Sequence, residues 1–381
     1  MTDERIADAG ISEERPKTST RDHAVLRAQL TTWLGQHLPN PTITEFTVPG
    51  TNGMSSETIL FDAAWTDADG TAQSDRFVLR LPPETSSEPV FPVYDMPRQF
   101  NAMRLVAART DVAIPPTLWL ETDPAPLGAP FFVMGRIDGV VPPDVMPYTF
   151  GGNWFFDSDP ADQAALQRAS VEVLAKIHTI SAADPDAAFL AIDAPGDTPL
   201  RRHVNDQRNF YEWVAADGTR SPLIEAAFQW LEDNWPATEG EAVVSWGDAR
   251  VGNMMYRDFK PVAVLDWEMA GHGPREIDLG WMIFIHRFFQ DLTDQYGMPG
   301  MPEFMRTAEA SRQYEEFTGV APQDLRWYIA YAALRHAIVM FRITRRQILF
   351  GEATMPENPD HAFIHHPTVT AMLDGTYWAK L

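Results

Sequence analysis

The chain has 381 residues, and its 53 acidic against 30 basic side chains leave a formal charge of −23. Phosphate backbones are held by clustered cations, so this balance argues against a nucleic-acid partner. The absence of cysteine excludes disulfides, thiolate zinc sites, iron–sulfur clusters and Cys nucleophiles, while 45% hydrophobic and 22% charged residues suit a globular chain with a sizeable core.

Residues 1–20 carry Asp3, Glu4, Glu13 and Glu14 and no apolar run, which predicts a flexible polar tail rather than a secretory leader. No later run is long enough to span a bilayer, so the expectation is a cytoplasmic protein with no membrane partner. Apolar spacing over 22–38 predicts a helix, and short strand-like runs follow at 43–48, 58–65, 77–81, 117–121 and 131–137. A Pro-rich loop at 82–92 precedes a helix at 97–109. From about residue 138 the pattern changes to long helices. Asp159-Pro160 and Ser221-Pro222 are cap and first-turn pairs for two of them, and others are expected at 277–289, 302–317 and 323–350. Strands at 242–245, 254–256 and 262–265 interrupt them. The architecture reads as α+β, with a polar tail at 1–20, a small sheet-containing lobe at 21–135 with one intervening helix, and a larger, mainly helical lobe at 136–381.

The segment 243–281 carries most of the chemistry. Asp248 is followed by Asn253 and then by Asp266, each beside a short apolar strand. Phosphoryl transfer needs this set: a carboxylate to accept the proton of the attacking hydroxyl, with an amide oxygen and a second carboxylate to hold Mg²⁺ against nucleotide phosphates. The serine-hydrolase G-x-S-x-G and zinc-protease H-E-x-x-H signatures are both absent, and His365-His366 has no clear third ligand.

The motif of Gly247, Asp248, Asn253, Asp266, Trp267 and Glu268 resembles that of the aminoglycoside phosphotransferase family, a branch of the protein-kinase-like fold that also includes choline-type kinases. The resemblance extends loosely over 46–350. It implies a two-lobed fold with a small antiparallel-sheet N-lobe, Asp248 as catalytic base, and Asn253 and Asp266 as Mg²⁺ ligands. The phosphoryl donor would be ATP or GTP. Asp278 matches a family acid of structural role, and His178 a buried hydrogen-bonding position.

In the first lobe, residues 49–57 resemble the family's phosphate-covering loop, in which the Gly53 backbone and the hydroxyls of Ser55 and Ser56 would meet phosphate oxygens. Arg80 stands on the strand where kinases place a phosphate-binding Lys; only four of the chain's cations are Lys, and none lies between Lys17 and Lys176. The helix at 97–109 has no acid to orient it, which leaves the carbonyl of Gln99 as the expected partner. The Gly135 carbonyl and Ile137 amide match the hinge that meets the adenine edge. Glu268 reads equally as a substrate contact or a turn acid. The aromatic loop 148–156, with Trp154 and Phe155, reads as a lid over the acceptor or as a loop buried under its own rings. Arg335, Arg342 and Arg346 share one helix face, which could dock an anionic molecule or pair with the abundant carboxylates.

The expected function is transfer of a γ-phosphoryl group to a hydroxyl of a small molecule: an aminoglycoside, macrolide, amino alcohol, sugar or hydroxyacyl-CoA. The alternative is a catalytically silent nucleotide-binding or scaffold protein of the same fold.

Overall fold

The computed structural model describes residues 21–49, 55–84 and 88–380. Gly53, expected to meet phosphate oxygens, therefore lies outside the described residues. Helix α1 (His23–Leu34) starts where the Asp22 carboxylate accepts from the amides of Ala24 and Val25, and it buries Leu26, Leu30, Trp33 and Leu34. That face packs on a five-stranded antiparallel sheet formed by β1 (Thr42–Thr47), β2 (Glu57–Thr66), β3 (Ala72–Leu81), β4 (Thr117–Glu121) and β5 (Phe131–Gly135), in the order β1-β2-β3-β5-β4. In β2, buried and half-buried residues alternate along most of the strand, as the pleat requires of a sheet covered on one side.

Strand β3 begins five residues earlier than its apolar run. Residues 72–76 are exposed, and their extended form comes from backbone pairing with β2, from Trp65↔Gln73 to Asp62↔Arg76, rather than from burial. Helix α2 (Met96–Arg109) follows, capped by Asp95 with Pro97 in its first turn. It lies over the other face of the sheet, where Phe100 meets Phe132 at 5.8 Å between ring centroids.

The second lobe contains α3 (Pro160–Ile177), α4 (Pro199–Val214), α5 (Pro222–Asp233), α6 (Glu276–Gln295), α7 (Thr307–Thr318), α8 (Leu325–Leu349) and α9 (His366–Leu373). Helix α4 has no counterpart in the sequence reading, because its buried stripe includes His203 and Gln207 between Leu200, Val204, Phe210, Tyr211 and Val214. Polar residues in the stripe mask the apolar period. Two small ribbons complete the lobe: β6 (Ala242–Ser245) pairs with β9 (Gly271–Pro274), and β7 (Met254–Arg257) pairs with β8 (Lys260–Val264). Gly-His-Gly-Pro carries no strand signal by composition, and its extension is imposed by β6. No helix among the described residues is long and apolar enough to cross a membrane.

Arg98 of α2 fastens the two lobes, donating to the carbonyls of Phe189 (2.8 Å), Leu190 (2.7 Å) and Ala270 (3.1 Å). The site lies beside this junction, where the ends of β6 and β8 face β3.

Candidate active site

The loop after β6 is built around a buried carboxylate. Asp278, in the first turn of α6, accepts from Ser245 Oγ (2.6 Å), the Trp246 amide (2.7 Å), the Gly247 amide (2.9 Å) and His178 Nε2 (3.0 Å). His178 lies 2.8 Å from the Tyr314 hydroxyl through Nδ1, as its expected buried role requires. Burial alone would push the Asp278 carboxyl upward, but the donors, His178 foremost, hold it below the ordinary range. Gly247 is obligatory here: its φ is +92°, and a Cβ would sit 2.1 Å from the Met269 carbonyl oxygen.

This staple delivers Asp248. Its Oδ2 accepts from Asn253 Nδ2 (2.7 Å) and Arg250 Nε (3.2 Å), and its Oδ1 accepts from Trp281 Nε1 (2.7 Å). Arg250 is held from its other side by Asp144 at 2.8 Å. Burial disfavours the charge of Arg250, yet Asp248 and Asp144 outweigh it and keep the guanidinium above its ordinary value. With its Nδ2 turned to Asp248, Asn253 keeps Oδ1 as the atom available to a cation. The Asn253 carbonyl accepts from the Leu265 amide at 2.9 Å, which ties the end of β8 to the same point and brings Asp266 in.

Asp266 has a φ of +58°, a left-handed conformation that costs a branched or acidic residue about 1–2 kcal/mol. Burial pushes its carboxyl up, the Asp248 charge adds to this, and Arg80 opposes it. Arg80 Nη2 lies 3.2 Å from Asp266 Oδ1, while Nη1 donates to Thr58 Oγ1 at 2.7 Å. The expected bond to Gln99 is therefore not made. Gln99 is buried on α2, and Arg80 reaches across the cleft to an acid of the other lobe instead.

The donor set fits a hard cation. Asn253 Oδ1 and the Asp266 carboxylate are oxygen ligands beside a second carboxylate, in a pocket where burial already penalises negative charge. Among the described residues no cluster of three or more His, Cys, Asp or Glu forms a self-sufficient metal centre. Two protein oxygens are what Mg²⁺ takes when nucleotide phosphates supply the rest.

Glu268 faces the other lobe. It accepts from Ser55 Oγ at 2.5 Å and Ser56 Oγ at 3.0 Å, so the hydroxyls expected to meet phosphates are engaged by this carboxylate. Its carboxyl is pushed up to about 8, by burial first and the Asp266 charge second. Gly135 ends β5, and Ile137 follows where the chain crosses to the second lobe. Phe155 is fully buried, 5.1 Å from Phe304 and 5.4 Å from Tyr148 between ring centroids, leaving no surface for an acceptor. Trp154 is half-buried and donates to the Val141 carbonyl at 3.2 Å. Phe155 thus packs under the loop's own rings, while Phe150, Trp154 and Phe156 stay half-buried.

The sequence reading missed Arg250, Asp144 and Trp281. Arg250 stands two residues after Asp248, close enough for its charge to have been weighed. Trp281 is 33 residues downstream, and only the packing of α6 brings it back.

The sequence profile described as the phosphotransferase enzyme family matches residues 60–314. Among curated proteins, a probable acyl-CoA dehydrogenase of Arabidopsis thaliana is 24% identical over 329 residues, covering 80% of this chain and 37% of that protein. The chain thus spans well under half of that relative. An aminoglycoside-phosphotransferase-type structure from Ralstonia eutropha aligns with a TM-score of 0.62 at 21% identity, over 92% of this chain and 97% of the other. A thermostable mutant of an aminoglycoside phosphotransferase, in ternary complex with AMP-PNP and hygromycin B, aligns with a TM-score of 0.52 at 16% identity, over 91% and 98%.

Proposed function

Because the chain belongs to the phosphotransferase enzyme family, we propose that it moves the γ-phosphoryl group of ATP or GTP to a hydroxyl of a small molecule. The observation that carries the reading is the convergence of Asp248, Asn253 and Asp266 on one point opposite Arg80. Asp248 accepts the proton of the acceptor hydroxyl. Asn253 Oδ1 and Asp266 would hold Mg²⁺, which would supply neutralisation of charge on the nucleotide phosphates. Arg80 leaves Asp266 for the phosphates, and Ser55 and Ser56 are available to follow when Glu268 releases them. The hinge at Gly135 and Ile137 offers main-chain groups to the base. Such catalysis is mainly positioning and electrostatics in a site that excludes water.

Among the acceptors considered, the acyl-CoA dehydrogenase relative favours a hydroxyacyl-CoA thioester. The dehydrogenase chemistry of that longer protein is not assigned to this chain. The engagement of Arg80 with Asp266, and of both serines with Glu268, favours one second reading, a protein that binds nucleotide without turnover.

The deciding experiment is ADP release from Mg-ATP with a panel of hydroxyacyl-CoA, aminoglycoside, macrolide, amino-alcohol and sugar acceptors, with Asp248→Asn as control. Acceptor-dependent ADP release that the variant loses supports the proposal. Thermal stabilisation by Mg-ATP with no turnover on the panel supports the silent reading.

A further inference from the structure

The arginines of α8 do not behave as one stripe. Arg342 donates to the Pro89 carbonyl at 2.8 Å and pairs with Glu88 at 3.2 Å, which leaves it spoken for at the lobe junction. Arg335 is different. It is only 1% exposed, and among the described residues it forms no ion pair and its Nε and Nη1 reach no hydrogen-bond partner. A guanidinium taken out of water without a carboxylate carries a large desolvation penalty. Because these nitrogens are covered by protein, they are not an anchor for a ligand in the cleft.

What Arg335 does touch lies next to Asp248. Its Nη2 donates to the carbonyl of Gly247, the peptide neighbour of Asp248, at 3.2 Å. Its guanidinium carbon sits 4.4 Å from the ring centroid of Trp281, within cation–π range. Trp281 in turn donates to Asp248 Oδ1 at 2.7 Å. The pairing depends on close approach of α6 and α8. At Gly280 a Cβ would lie 2.9 Å from the Tyr328 backbone carbon, so only glycine allows the contact that sets Trp281 over Arg335, two turns beyond Tyr328. On the same helix, Tyr331 flanks the guanidinium at 5.8 Å, its hydroxyl donating to the His203 carbonyl at 3.0 Å.

The lone pairs of Asp248 give this arrangement a consequence. A carboxylate has about four acceptor positions, two on each oxygen. Oδ2 is filled by Asn253 and Arg250, whereas among the described residues Oδ1 accepts only from Trp281. The remaining lone pair, the one that can take a hydroxyl proton, is on the oxygen that the indole holds.

We infer that Trp281 and Arg335 form a positioning pair for the base: the guanidinium fixes the indole and the Gly247 carbonyl, and the indole aims the free lone pair of Asp248 Oδ1 at the acceptor hydroxyl. The inference rests on the phosphotransferase reading. Trp281 and Arg335 are both buried, so the pair is expected to act on turnover rather than on binding.

The test uses the full chain, Mg-ATP and whichever panel acceptor the wild type turns over, with Trp281→Phe, Arg335→Met and Arg335→Lys. Trp281→Phe keeps a ring and removes the N–H. Its kcat is expected to fall about 10- to 100-fold, the scale of a misaligned reacting group, with KM for ATP within about twofold. Arg335→Met is expected to follow it, and Arg335→Lys, which keeps a cation under the ring, to recover several-fold of that loss. Unchanged kcat in a folded Trp281→Phe overturns the inference. So does an Arg335→Met variant whose KM rises at constant kcat, since that marks a binding residue. If Trp281→Phe does not fold, Arg335→Met and Arg335→Lys carry the test; loss of cooperative folding in all three marks the pair as structural and overturns it. A wild type without turnover on any acceptor refutes the phosphotransferase reading itself, and the positioning role with it.

Discussion

Replacing Asp278 by Asn perturbs the staple beneath the loop that carries Asp248 by one atom. The carboxylate receives four hydrogen bonds at 2.6–3.0 Å and is fully buried. An asparagine oxygen placed where Oδ1 stands keeps the bonds from Ser245 and Gly247, but its amide nitrogen then confronts the Trp246 amide and His178. The histidine can change tautomer and accept; the Trp246 N–H cannot. One buried donor is orphaned, at about 1–3 kcal/mol, and the two surviving bonds lose their charge assistance, so the total cost is about 3–5 kcal/mol. Urea denaturation measures this directly. The pH dependence has a definite sign: the folded-state carboxyl lies below its ordinary value, so its stabilisation is fully present above about pH 4 and is lost as pH falls through the folded value. The stability gap between wild type and Asp278→Asn is therefore constant above about pH 5 and narrows below about pH 4. A gap under about 1 kcal/mol at pH 7, or one that widens in acid, refutes the assignment of Asp278 as the loop's anchor.

Other outcomes follow from neighbouring contacts. Gly247→Ala forces a Cβ to within 2.1 Å of a carbonyl oxygen at positive φ, and is expected to cost about 2–5 kcal/mol in thermal or chemical denaturation. Arg80→Met removes the cation that offsets the buried Asp266 and that is proposed to meet the nucleotide phosphates. Nucleotide titration should show ATP binding weakened about 10-fold or more, and unchanged affinity would remove Arg80 from the site. Arg98→Ala leaves the carbonyls of Phe189, Leu190 and Ala270 without their shared donor and is expected to lower stability by about 1–3 kcal/mol, with Arg98→Lys recovering little because a point charge cannot span three acceptors.

The parts of the site that were legible in the sequence are those whose spacing along the chain sets their geometry. Asn253 and Asp266 flank the β7–β8 ribbon, whose pairing brings them together, and Asp248, just after β6, joins them through the hydrogen bond from Asn253. Asp278 and His178 stand in helix turns that face the same loop. What was not legible depends on contacts between distant elements. Gln99 had the right chemistry for Arg80, but the sheet aims Arg80 at the other lobe and α2 turns Gln99 inward. Trp281 reads as an ordinary interior residue, and Arg335 as one of a stripe that docks an anion or pairs with carboxylates, until α6 and α8 meet at Gly280. Helix α4 escaped notice for a related reason. Its inner face uses His203 and Gln207, so burial there is not marked by hydrophobicity. Phe155 shows the converse: an aromatic beside glycines suits a lid as well as a core, and packing against Tyr148 and Phe304 decides it.

The central claim is that this chain transfers a phosphoryl group from a nucleotide to a hydroxyl with Asp248 as the base. Phosphorus NMR of a mixture of protein, Mg-ATP and a hydroxyacyl-CoA tests it at the level of the bond formed. The account predicts a new phosphomonoester signal on the acceptor, appearing one for one with ADP, and slowed about 10²- to 10⁴-fold by Asp248→Asn in a protein that remains folded. An equal rate of phosphoester formation in the variant would contradict it.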